Sequence, residues 1–204
     1  MSYEDFVSSF SRIEVCHLGL ESLEHDQNFR GKRRLDEAIF AGQWQRNVNA
    51  GGCINNRLTY WTNPQFRITV EDPDPDDNDE KCTVIVGLMQ KDVRRKIGAA
   101  FQALGFMVYN APEDQSTLLT RAQLLTKTPI AKSQFINIRE VTAHFRVPPG
   151  SYIIIPSTFE PNIESNFVLR VFSQVPIQQE ELDEDNTNQG LPEVSYTKDF
   201  TTGG

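Results

Sequence analysis

Short runs of alternating apolar residues, each closed by turn-forming residues, limit the fold of this chain more than any other feature. Phe66, Ile68 and Val70 alternate with Arg67, Thr69 and Glu71. Alternation at period two puts one set of side chains on each face of a strand. Residues 83–89 (TVIVGLM), 135–141 (FINIREV), 152–155 (YIII) and 167–172 (FVLRVF) are further apolar or alternating runs. Asn63-Pro64, Pro148-Pro149-Gly150, Pro156 and Glu160-Pro161-Asn162 punctuate them as turn signals. From about residue 36 to 174 the pattern is β, and many short strands with few helical stretches predict an antiparallel sandwich. Residues 114–128 are the helical exception, with Leu118, Leu119, Leu124 and Leu125 grouped.

The N-terminal residues 2–11 read as a short amphipathic helix. Ser2 is the expected N-cap, with Asp5 three residues on as in a capping box. Tyr3, Phe6 and Phe10 fall on one face, and so short a helix needs a packing partner. The following RIEVCHL alternates Ile13 and Val15 against Arg12 and Glu14, as a strand would. Residues 175–204, rich in Gln, Glu, Asp and Asn, read as a solvated acidic linker or tail.

Thirteen Phe, two Trp and 38% hydrophobic residues supply a core without disulfides or metals to hold it. No apolar run of about 18 residues is present, so no membrane-spanning helix is expected. The segment MSYEDFVSSF carries acids where a secretory signal needs a basic start and an apolar run. Cys16, Cys53 and Cys82, odd in number and widely spaced, fit reduced thiols, and the expected location is cytoplasmic.

Charge is unevenly distributed. The formal −8 divides as −7 in residues 71–80, −6 in residues 175–204 and +5 in the rest. In EDPDPDDNDE the carboxylates are Glu71, Asp72, Asp74, Asp76, Asp77, Asp79 and Glu80, and Pro73 and Pro75 keep the backbone extended. Clustered carboxylates repel, and a hard cation with several oxygen ligands, calcium above all, would relieve this, as would a basic surface. A solvated segment that binds nothing is the plain alternative. The EF-hand pattern fails: counted from Asp72, Asp77 stands at the glycine position and Thr83 at the twelfth. Just past the run 83–89, Lys91, Arg94, Arg95 and Lys96 place four cations in six residues. Such a cluster suits anionic lipid headgroups, or is simply a solvated surface loop. Nucleic acid is not expected, because no aromatic platform is interleaved and the whole chain is acidic. A strand between the two charged segments holds them about 26 Å apart, beyond a Debye length of roughly 8 Å, so each is available to its own partner.

No motif for catalysis stands out. HExxH, GxSxG, a P-loop and CxxC are all missing, and Cys16-His17, as strand neighbours, point to opposite faces. His25 and His144 are isolated. Trp44 and Trp61 sit in motif-dense alternating segments and are expected to pack.

These segments, in this order, resemble the calpains, calcium-dependent intracellular cysteine proteases. MSYEDFVSSFSRIEVCHL is similar to the end of the protease core, where the family carries W-M-S-[YF]-x-D-F. GQWQRNVNAGGCINN (42–56) resembles G-x-W-x-R-G-x-x-A-G-G-C, with Asn47 where a glycine is common. TYWTNPQFRI (59–68) resembles F-W-x-N-P-Q-[FY], and residues 133–173 are the longest similar stretch. The resemblance covers about residues 1–173. It implies an all-β domain, an eight-stranded antiparallel β-sandwich likened to C-two domains, with a short N-terminal helix left from the protease core. The implied division is 1–17, end of the protease core; 18–174, the sandwich; 175–204, acidic linker or tail. The family's catalytic Cys, His and Asn belong upstream and its EF-hand domain downstream, so the chain is expected to be a non-catalytic piece of a longer protein. Implied partners are that protease core, that EF-hand domain and acidic phospholipid, with membrane recruitment when calcium rises. Calcium, bound weakly, is the implied cofactor, and Glu71, Asp72, Asp74, Asp76, Asp77, Asp79 and Glu80 map onto the family's calcium-sensitive acidic loop. Lys91, Arg94, Arg95 and Lys96 are the lipid-binding candidates. The alternative is a purely structural linker domain between core and EF-hand domain, with no ligand of its own.

Overall fold

The computed structural model describes residues 1–11, 35–71, 81–91, 100–113 and 118–182. Strands are β1 (Asp36–Trp44), β2 (Gln65–Val70), β3 (Cys82–Gln90), β4 (Leu104–Asn110), β5 (Ala131–Lys132), β6 (Glu140–Val147), β7 (Gly150–Thr158), β8 (Ser165–Ser173) and β9 (Gln178–Leu182). Eight have five residues or more, as the resemblance implies, and β5 has two. They form two antiparallel sheets, ordered β1-β8-β3-β6 and β5-β4-β7-β2-β9. The chain is an antiparallel β-sandwich.

Period-two alternation builds the core between the sheets. Phe66, Ile68 and Val70 of β2 point into it, with Val84, Val86 and Leu88 of β3 and Phe167, Leu169 and Val171 of β8. At its centre the Trp44 and Phe167 ring centroids lie 4.3 Å apart, and Phe66 meets Phe167 edge-on at 6.0 Å. Trp44 is 1% exposed and donates from Nε1 to the Pro156 carbonyl at 3.3 Å, so its one polar atom is satisfied inside an apolar site. Gly42 opposes Phe167 in the β1–β8 register, and a Cβ there would strike the Phe167 ring. Trp44 therefore packs as expected.

A second apolar layer covers the outer face of the five-stranded sheet. Met107 and Tyr109 of β4 and Ile153 and Ile155 of β7 meet Tyr60, Leu119 and Leu124 there. β7 is thus buried on both faces, which is why YIII reads as a continuous apolar run and not as an alternation. The covering pieces are α2 (Arg121–Thr126) and a 3-10 turn at Tyr60–Thr62. Thr120 caps α2 with a full capping box to Gln123. Gln65 of β2 makes two bonds to the Leu119 backbone, Nε2 to O at 3.0 Å and Oε1 from N at 2.8 Å, which pin this layer to the sheet. Helix occurs within 114–128 as expected, although residues 114–117 lie outside the described part.

Helix α1 (Tyr3–Ser9) has the expected Ser2–Asp5 capping box, and its Phe6 and Phe10 rings lie 5.0 Å apart. None of its residues is buried, and Tyr3 is 82% exposed. The strand expected in RIEVCHL falls outside the described residues.

Two expectations change. The strand read at 135–141 begins at Glu140 and runs to Val147; before it only Ile136 bridges, to Leu104. Both stretches alternate, and pairing with β3 decides between them, since Val141, Ala143, Phe145 and Val147 turn inward while Ile136 and Ile138 stay exposed. Residues 175–204 were expected to be linker, yet β9 within them pairs with β2 over five residues, Leu182 opposite Gln65 and Gln178 opposite Thr69. Its QQEEL sequence lacks an apolar face. Strand addition needs only backbone groups, and it occupies the edge that β2 would otherwise expose.

Two measurements test this packing. Phe167→Ala removes the ring shared by Trp44 and Phe66 and should cost about 3–5 kcal/mol in denaturant unfolding with an unchanged m-value. The second concerns the buried Tyr60 and Tyr109 hydroxyls, 3.4 Å apart. Burial, then the neighbouring Tyr109, pushes Tyr60 well above the ordinary tyrosine range; burial also raises Tyr109, against a smaller lowering by its bond to Tyr60. Groups with raised folded values stabilise fully below the unfolded value of about 10 and lose that contribution as pH rises above it. Melting temperature should therefore fall above about pH 10. Tyr60→Phe should flatten the fall, and an unchanged slope would refute this assignment.

Candidate functional site

The two charged segments leave opposite ends of β3, whose nine residues span about 26 Å. β3 pairs with β6 on one edge and β8 on the other, and Val84, Val86 and Leu88 are fully buried. At its first end, Cys82 Sγ lies 3.1 Å from Ser173 Oγ, the Thr83 amide donates to Gln174 Oε1 at 3.0 Å, and Arg146 Nη2 donates to the Lys81 carbonyl at 3.1 Å. At its last end the buried Gln90 side chain donates to the carbonyls of Gln102 (2.8 Å) and Ile138 (3.1 Å) and accepts from the Gln102 amide (2.9 Å). The Lys91 amide donates to Asn166 O at 2.9 Å. Polar side chains thus anchor the chain on either side of both segments.

Of the acidic candidates, Glu71 is exposed directly after β2. Asp72, Asp74, Asp76, Asp77, Asp79 and Glu80 lie outside the described residues. Of the basic candidates, Lys91 is exposed directly after β3, while Arg94, Arg95 and Lys96 lie outside them. Among the described residues no group of three or more His, Cys, Asp or Glu is placed to hold a metal. Cys53 and Cys82 are buried free thiols, and His144 is exposed on β6.

A feature the sequence reading missed lies over the outer apolar layer. The turn at Asn56–Trp61 and α2 border a groove of about 330 Å³, apolar through Trp61, Leu124 and Leu125, and basic through Arg57, Arg121 and Lys127. Trp61 is partly exposed and donates to Leu58 O at 3.0 Å, so it packs against the outer layer and also lines this groove. No spacing signal joins Arg57 to Arg121; the tertiary fold brings them together. The turn's shape comes from Asn63, which accepts from the Gly51 amide and donates to the Gly52 and Tyr60 carbonyls. Asn47, standing where a glycine was expected, has φ 59°, a left-handed backbone that Asn tolerates better than most residues.

Residues 40–172 match the family described as "Calpain large subunit, domain III". The chain is 79% identical over 193 residues to a calpain of Schistosoma mansoni, covering 95% of this chain and 26% of that protein. It is 43% identical over 209 residues to Calpain-A of Drosophila melanogaster, covering 99% and 25%. With the Calpain-1 catalytic subunit of Gallus gallus it shares 41% over 213 residues, covering 100% and 30%. The chain therefore spans between a quarter and a third of the length of these relatives. It belongs to the calpain family, and its β-sandwich is calpain domain III.

Proposed function

We propose that this chain is the non-catalytic regulatory domain of a calpain-type cysteine endopeptidase, acting in the cytoplasm and drawn to membranes when calcium rises. The mounting of an acid-rich and a base-rich segment at opposite ends of one doubly paired strand carries this reading. Seven carboxylates in ten residues hold one another at raised free energy. Calcium, which accepts six to eight oxygens in loose geometry, relieves that repulsion. A basic surface of the protease core does the same, so calcium competes with that surface and releases the segment. The ligands are drawn from Glu71, Asp72, Asp74, Asp76, Asp77, Asp79 and Glu80.

At the far end of β3, Lys91, Arg94, Arg95 and Lys96 meet acidic phospholipid, each adding about 1 kcal/mol near an anionic surface. Relatives three to four times as long supply room for a protease core and an EF-hand domain as intramolecular partners. Co-sedimentation with phosphatidylserine vesicles, in calcium and in chelator, tests the proposal. Binding should require calcium, and Arg94→Glu with Arg95→Glu should weaken it by at least about tenfold. Equal binding in chelator, or no binding at any calcium level, would overturn it.

A further inference from the structure

The groove over the outer layer points to an occupant within this chain. Arg57, Arg121 and Lys127 converge on it from separate elements, and no carboxylate lines it. Lys127 Nζ donates to the Asn110 carbonyl at 3.2 Å, while Arg57 and Arg121 have no ion pair among the described residues. Like charges gathered around an apolar surface call for an anionic segment.

The sheet delivers one. β9 runs antiparallel to β2 and ends with Leu182 opposite Gln65. Gln65 follows the Tyr60–Thr62 turn by three residues, and its side chain grips Leu119, two residues before Arg121. The chain therefore leaves the sheet beside the groove, and its next residues are Asp183, Glu184 and Asp185. Three extended residues reach about 10 Å, enough to cross from the strand end to the basic lining. We propose that the groove seats the acidic stretch Asp183–Glu184–Asp185, and so fixes the direction in which the chain leaves the domain. This seat is separate from the proposed calcium and lipid segments, so it stands or falls independently of them.

The test is a comparison of amide, arginine side-chain and indole NMR resonances in the full chain. The reference is its Asp183→Asn, Glu184→Gln, Asp185→Asn variant, altered outside the core and expected to keep the same β-sheet dispersion. Resonances of Arg57, Arg121 and the Trp61 indole should shift on neutralisation, and Arg57→Gln with Arg121→Gln should shift residues 183–185 in return. Added salt should reproduce the effect of neutralisation. Changes confined to residues near 183–185 would overturn the proposal. Groove shifts that vary with protein concentration would overturn it too, because the occupant would then be another copy's tail. A response only to an added acidic peptide, and not to the neutralised tail, would assign the groove to a partner in trans and equally defeat it.

Discussion

The pairing of β3 on both edges is the constraint from which the rest follows. β6 and β8 fix its register, and its inward residues fill the space between the sheets. A strand held in this way cannot slip by one residue without turning Val84, Val86 and Leu88 out of the core. The segments before and after it are therefore fixed at their points of attachment, about 26 Å apart. Charge at one end does not cancel charge at the other, because the separation exceeds the screening length. The net charge of −8 conceals this division: two acidic segments attached to a body of net +5.

The sandwich was legible because its strands obey period two and its turns carry Pro, Gly and Asn. β2, β3, β7 and β8 lie where their patterns place them. The strand at 135–141 was misplaced because FINIREV and EVTAHFRV share the same alternation, and only β3's choice of partner separates them. β9 was missed for a different reason. A strand added through backbone bonds alone needs no apolar face, so QQEEL looked like solvated linker. Asn47 read as a departure from a glycine-bearing motif, and its left-handed backbone shows why the departure is tolerated.

The candidate sites were legible to different degrees. Runs of one charge are visible in sequence because they are contiguous, and so the acidic and basic segments stood out at once. The groove of Arg57, Arg121 and Lys127 is assembled from a turn and a short helix far apart in the chain. Its basic residues are single and spaced, with no run to mark them. Its aromatic member, Trp61, was expected to pack, and it does, but with one side left to line the groove. Sequence reading finds charge that is local, while folding creates charge clusters that are not.

Isothermal titration of calcium into this chain tests the central claim most directly. The comparison is a variant in which Glu71 and Glu80 become Gln and Asp72, Asp74, Asp76, Asp77 and Asp79 become Asn. A weak, saturable heat in the unaltered chain that vanishes in the neutralised one is the expected result. No heat in the unaltered chain up to millimolar calcium, or the same heat in both, would contradict a calcium-responsive acidic segment and leave the domain a passive spacer.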